Sequence, residues 1–218
     1  MSARHYLFDL DGTLTDPGLG IKNSIRYALT KFGLPTLSEE ILDTFIGPPL
    51  LDSFSLHCGV SGEDAWRLVN LYREYFSEKG LFENTVYDGI PEVLSALQKR
   101  GATLCLATSK PEEYAKRILE HFDLSRYFTF VGGSTMDEKR TAKAEVIAYV
   151  LQSTGLRAED CFMVGDRRYD IEGGRACGLT TVGVLFGYGD REELKAADHL
   201  VETPSALLLL SSSLYGFR

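Results

Sequence analysis

The sequence predicts an α/β protein: a parallel sheet with helices on both faces, and a helical segment inserted after the first strand. Three observations predict it. From Tyr87 onward, short apolar runs alternate with amphipathic stretches, the pattern of parallel strands joined by crossover helices. Residues 16–84, by contrast, hold four helical patterns in succession and no strand-like run, which reads as a small bundle. Finally, carboxylates and hydroxyls stand just after the apolar runs, where ligands bind in sheets of this kind.

The first strand is Tyr6 to Phe8, an apolar run that ends in Asp9-Leu10-Asp11-Gly12-Thr13. Asp16-Pro17-Gly18 is a turn signal. Ile21, Ile25, Ala28, Leu29 and Phe32 then recur at helical spacing, and Gly33 stops that helix. Thr36 with Glu39 reads as a capping box for a second helix carrying Leu37, Ile41 and Phe45, broken by Gly47-Pro48-Pro49. Leu50, Leu51 and Phe54 begin a third helix. Ser61 to Asp64 caps a fourth, with Ala65, Leu68, Val69, Tyr72 and Phe76 on one face, ending near Gly80. The division expected is therefore a core of residues 1–15 and 85–218 and a helical insertion of residues 16–84.

In the second half, Pro91 opens a helix that Gly101 closes. Residues 102–107 read as a strand, 111–122 as a helix, 128–131 as a strand and 142–151 as a helix. Cys161 to Val164 is a strand, residues 171–177 a helix and 181–185 a strand. Residues 192–197 read as a helix, 199–201 as a short strand and 206–214 as a last helix.

The 218 residues are 44% hydrophobic and 25% charged, the balance of a soluble globular protein. No apolar run is long enough to span a bilayer, and Asp9 and Asp11 interrupt any signal-peptide core. A net charge of −8 argues against a nucleic-acid polymer as partner. Cys58, Cys105, Cys161 and Cys177 are widely spaced, form no zinc pattern, and read as free thiols of a reducing, cytoplasmic compartment.

Four stretches carry the chemistry. Asp9 and Asp11 are close enough to repel unless a cation or proton sits between them, which suits a hard-oxygen metal site, although Asp and Gly are also ordinary turn residues. Thr108 and Ser109 follow the second apolar run and offer a hydroxyl and backbone N–H groups, either as an anion site or as a plain helix cap. Asp137-Glu138-Lys139-Arg140-Thr141-Ala142-Lys143 is a charged stretch before a helix. Phe162-Met163-Val164-Gly165-Asp166 runs an apolar strand into a carboxylate, and Asp170 follows in the first turn of the next helix, where it complements the helix dipole or orients the region of Asp166.

Phe8-Asp9-Leu10-Asp11-Gly12-Thr13-Leu14 resembles the first motif of the haloacid dehalogenase-like (HAD) phosphohydrolases, and the other three stretches match the family's later motifs in order. The resemblance covers nearly the whole chain and implies a Rossmann-like core with an inserted C1-type cap. Within that subgroup, Ile46-Gly47-Pro48-Pro49-Leu50 and Val86-Tyr87-Asp88-Gly89-Ile90 resemble phosphoglycolate phosphatase-like and 5′-nucleotidase-like members. It implies Asp9 as nucleophile, Asp11 as general acid and base, and Thr108 with Ser109 as phosphoryl ligands. It implies a Mg²⁺ site of Asp9, Asp166 and the backbone carbonyl of Asp11, with Asp170 in support. The family's lysine more often stands directly before a proline, whereas here Lys143-Ala144-Glu145 occurs. Lys143 is preferred to Lys139 because it stands at the helix start, nearer the sheet edge.

The expected function is Mg²⁺-dependent hydrolysis of a small phosphorylated metabolite, of the phosphoglycolate or nucleoside 5′-monophosphate type, by a monomer or homodimer. A sugar-phosphate mutase of the β-phosphoglucomutase type and a non-catalytic phosphate-binding module are the alternatives. Lys22, Gly47 and Lys79 are candidates for contact with the leaving group; both lysines equally suit exposed helix positions.

Overall fold

A computed structural model describes residues 5–137 and 139–210. The chain divides into two compact units, one within Met1–Thr15 and Val86–Arg218 and one over Asp16–Thr85. In order, the elements are β1 (His5–Phe8), β2 (Thr15–Asp16), α1 (Gly18–Phe32), α2 (Glu39–Asp43), α3 (Leu50–Cys58), α4 (Gly62–Tyr75), β3 (Thr85–Val86), α5 (Ile90–Lys99) and β4 (Leu104–Pro111). There follow α6 (Glu112–His121), β5 (Phe130–Ser134), α7 (Lys143–Thr154), β6 (Cys161–Gly165), α8 (Arg168–Ala176), β7 (Thr180–Val184), β8 (His199–Val201) and α9 (Leu207–Leu210). A π-turn over Phe76–Gly80 extends α4. No helix among the described residues is long and apolar enough to cross a membrane.

The main sheet has six strands in the order β5-β4-β1-β6-β7-β8, and all its pairs are parallel. Counted along the chain within that sheet, the order is that of a Rossmann fold, and it reverses between β1 and β6. Ligands of such sheets bind beyond the strand ends at that reversal. Phe8 pairs with Leu106 on one side and Val164 on the other, so the residues that follow the three strands leave the sheet side by side. β2 and β3 form a separate two-stranded pair.

The core follows from strand alternation. Leu7, Cys105, Ala107, Cys161 and Met163 form a buried cluster with Val146, Ile147 and Val150 of α7. The alternate residues carry aromatic rings: Tyr6 stacks on Phe8 and lies against Phe162. Cys105 and Cys161 are thus buried free thiols, and burial pushes the Cys105 thiol up to about 12. In the helical unit, Ile21, Ile25, Ala28 and Leu29 of α1 and Ala65, Leu68, Val69 and Tyr72 of α4 are the buried faces. Gly33 ends α1 in the left-handed conformation at φ 88°, as its position in the pattern requires.

Three expectations are corrected. The second helix is capped by Ser38, whose hydroxyl accepts from Ile41 N–H at 3.4 Å, and not by Thr36. Glu39 falls at the first helical position, and its carboxylate pairs with Arg26 and Lys22. Residues 192–197 form consecutive turns in place of a helix. A six-residue run barely repays helix nucleation. Here Asp190 Oδ1 accepts from Glu193 N–H, and the Glu193 side chain reaches back to Arg167. Lastly, β4 runs on to Pro111 with an irregularity after Ala107, so Thr108, Ser109 and Lys110 belong to the end of a strand and not to a helix N-terminus. The expected last helix appears as a 3₁₀ turn, Pro204–Ala206, followed by α9; its remainder, residues 211–214, lies outside the described residues.

Candidate active site

Asp9 follows β1, and its backbone N–H donates to Val164 O of β6 at 2.9 Å. Gly12 turns the chain at once, at φ 76°, where a side chain is strained. Asp166 follows β6 and is fully buried. Asp170 stands in the first turn of α8, where its Oδ2 accepts from Arg167 N–H at 3.0 Å. It therefore serves as a helix-start acceptor and also faces the site through its other oxygen.

Lys143 is the first residue of α7 and ties these elements together. Its Nζ lies 2.9 Å from Asp9 Oδ1 and 2.8 Å from Asp170 Oδ1, and donates to Ala107 O of β4 at 3.1 Å. Room for its stem depends on Gly173 of α8, where a Cβ would stand 3.0 Å from Lys143 Cβ and Cγ. Burial alone would lower its pKa, but the carboxylates of Asp170 and Asp9 outweigh that and hold it above the usual lysine value. Lys139 stands elsewhere: it is 83% exposed and paired with Asp137 at 2.8 Å. Of the two lysines, the structure brings Lys143 to the carboxylates.

One carboxylate oxygen from each of Asp9, Asp166 and Asp170 lies within 4.8 Å of the others. All three residues are buried, and Lys143 is in contact with two of them, Asp9 and Asp170. Asp9 Oδ1 and Asp170 Oδ1 share the one Lys143 ammonium within ion-pairing distance. Burial pushes Asp166 well above the usual carboxylate range, and Asp170 and Asp9 push it further. Burial also pushes Asp170 up to about 6, against the pull of Lys143 and with the push of Asp9. Three hard-oxygen donors buried together and an excess of negative charge suit a small divalent cation such as Mg²⁺.

The Asp11 side chain is paired with a different lysine. Lys110 Nζ donates to its Oδ1 at 2.7 Å, and both side chains are largely buried. Burial raises the Asp11 pKa, and the attraction of Lys110 offsets this only in part. Thr108 is fully buried, and its hydroxyl accepts from Lys110 N–H at 3.3 Å; Ser109 is half-buried beside it. The sequence reading assigned no role to Lys110, although it follows Thr108-Ser109. It also passed over Thr13, which donates to Asp166 Oδ1 at 3.3 Å, and Tyr188, whose backbone N–H donates to Asp166 Oδ2 at 2.8 Å. In the helical unit, Lys22 is held by Asp43 at 2.5 Å and Glu39 at 3.5 Å, and Lys79 lies over the Tyr75 ring.

This geometry suits acyl- or phosphoryl-type transfer: a buried carboxylate held by a lysine, a second carboxyl with a raised pKa, and a cluster of carboxylates that could hold a cation. Comparison with known proteins narrows it. The family model for haloacid dehalogenase-like hydrolases matches residues 6–184. A 5′-nucleotidase of Pseudomonas aeruginosa is 48% identical over 190 residues, covering 87% of this chain and 86% of that protein. A tyrosine-protein kinase, PtkA, of Mycobacterium tuberculosis is 37% identical over 93% of this chain and 69% of its own length. A phosphoglycolate phosphatase of Pseudomonas syringae pv. tomato is 33% identical over 84% and 69%. The crystal structure of a predicted phosphatase from Clostridium acetobutylicum superposes with a TM-score of 0.90 at 42% identity, covering 98% of this chain and 99% of that one.

Proposed function

The chain belongs to the haloacid dehalogenase-like hydrolase family, and we propose that this HAD-type phosphatase hydrolyses small phosphomonoesters through a phosphoryl group carried on Asp9. The observation that carries the reading is the buried contact of Lys143 with both Asp9 and Asp170, beside the buried carboxylate of Asp166.

The steps use residues of this chain. A carboxylate oxygen of Asp9 attacks phosphorus as the bond to the ester oxygen breaks. Asp11, whose carboxyl is raised by burial above its ordinary pKa, gives a proton to the departing alkoxide. Asp11 then takes a proton from water, which attacks phosphorus and releases phosphate, leaving Asp9 as it began. Lys143, Thr108 and the backbone beside Ser109 take up charge on the phosphoryl oxygens, and Lys110 holds the Asp11 carboxylate in place. Asp9 and Asp166, with the backbone carbonyl of Asp11, would hold Mg²⁺, with Asp170 in support. When bound, that ion neutralises charge between the carboxylate and the ester.

The substrate class follows the relatives: phosphoglycolate or a nucleoside 5′-monophosphate. On this reading the helical unit, Asp16–Thr85, selects the leaving group. The four free cysteines accord with a cytoplasmic setting. A panel of phosphomonoesters assayed with Mg²⁺ or with chelator tests the reading, and release of phosphate from one of these two classes only with Mg²⁺ is expected. Because one relative bears a kinase name, ATP with a tyrosyl acceptor belongs in the panel. Transfer to that acceptor in place of water would contradict the hydrolytic reading.

A pH dependence follows as well. The Asp170 pKa is higher in the folded chain than in the unfolded one, so its favourable contribution is complete below the ordinary 3.8 and is lost as pH rises through about 6. A cation supplies the missing countercharge, so its stabilisation is greatest where the carboxylates are ionised. The rise in melting temperature produced by Mg²⁺ should grow as pH is raised across that window. A rise of equal size at the two ends would contradict the assignment.

A further inference from the structure

The loop after β7 matches none of the stretches that carry the chemistry, yet it closes around one proposed metal ligand. Tyr188 N–H donates to Asp166 Oδ2 at 2.8 Å. A Cβ on Gly187 would stand 2.2 Å from Gly12 O and 2.7 Å from Asp166 Oδ2. A Cβ on Gly189 would stand 2.0 Å from Asp166 O. These neighbours are backbone atoms or a short fixed side chain, so none can move aside cheaply. The following residues hold the same region. Glu193 Oε1 accepts from Arg167 Nε at 2.9 Å and Arg168 N–H at 3.0 Å, and Arg175 donates to Ala196 O at 2.9 Å. The grip therefore extends along α8 from the residue after Asp166.

We propose that Gly187-Tyr188-Gly189 is a backbone clamp that sets the orientation of the Asp166 carboxylate for a divalent cation. The proposal rests on the metal site argued above. The two glycines let the loop approach, and the Tyr188 N–H holds Asp166 Oδ2 while the longer contact from the Thr13 hydroxyl meets Oδ1, so the loop sets the rotation of the carboxylate. These are positioning residues, since they act on the ion through Asp166. Groups that orient a ligand in this way are worth about 10–100-fold in metal affinity.

The test is Mg²⁺ binding to metal-stripped protein by titration calorimetry, without substrate. Gly187→Ala and Gly189→Ala should bind about 10–100-fold more weakly than the native chain. Tyr188→Phe keeps the N–H and should bind as the native chain does. Gly174→Ala controls for packing damage: its Cβ would crowd the side chains of Thr181 and Met163, at 2.8 and 2.9 Å, with no atom of Asp166 among its nearest neighbours. It should lower the melting temperature without changing the dissociation constant. Should both loop variants fail to fold, amide hydrogen exchange of the native chain decides: the Tyr188 N–H should be protected, and more so with Mg²⁺. A native chain that binds no Mg²⁺ overturns the metal reading and the clamp together. Native binding with unchanged affinity in the folded loop variants, or an unprotected Tyr188 N–H, overturns the clamp alone.

Discussion

Replacing Lys143 by Ala should lower turnover by about 10²–10³, the size expected when one preorganised charge is removed from a transition state. The same change should cost stability. Lys143 is the only cation in contact with Asp9 and Asp170 among the described ion pairs, and its side chain is 4% exposed. Removing one partner of a buried ionic group costs about 3–5 kcal/mol, because the remaining charges keep their desolvation and lose their attraction. Part of that loss should be recovered by Mg²⁺, which can offset the same carboxylates. Lys139→Ala should leave turnover unchanged and shift stability by no more than about 0.5 kcal/mol, as for other exposed positions. Steady-state kinetics and thermal unfolding of the two variants check this. A crippling Lys139→Ala with a mild Lys143→Ala would mean that the buried lysine is only structural.

Asp11→Asn should lose about 10²–10⁴ in rate on alkyl phosphates, the usual worth of a positioned acid and base. Asn keeps the shape and the backbone carbonyl, so cation binding should largely survive. It cannot transfer a proton. An alkyl ester has a basic leaving group and needs that proton at the first step. An aryl ester with an acidic phenol needs it far less, so phosphorylation of Asp9 should remain quick and hydrolysis should become limiting. Rapid-mixing traces should show a burst of phenol followed by slow turnover. Equal, mild losses on both ester types would make Asp11 merely structural.

Much of the fold was legible because its signals are local. Apolar runs such as Tyr6 to Phe8 and Cys161 to Val164 are strands because both faces are covered, so no polar alternation was needed to see them. Asp9 and Asp166 stand just past such runs and could be placed from the sequence. Lys143 could be placed too, but a charged stretch that also held Lys139 left the choice to its place at the helix start, nearer the sheet edge. What was not legible depends on distant contacts. Lys110 meets Asp11 across a separation of 99 residues, and nothing local distinguishes it from an exposed lysine. Tyr188 acts through its backbone N–H, which leaves no mark on residue type. The helix misread at 192–197 has helical composition, but Glu193 is drawn to Arg167 and the run stays a series of turns.

The claim on which the account turns is that the phosphoryl group rests on Asp9. Asp11→Asn, mixed with an aryl phosphate and quenched in acid during the burst, should carry one phosphoryl group per chain. Peptide mass spectrometry should place it on the Asp9 carboxylate, and Asp9→Asn treated in the same way should carry none. A phosphoryl group on another residue, or phenol released in a burst by Asp9→Asn, would contradict the mechanism.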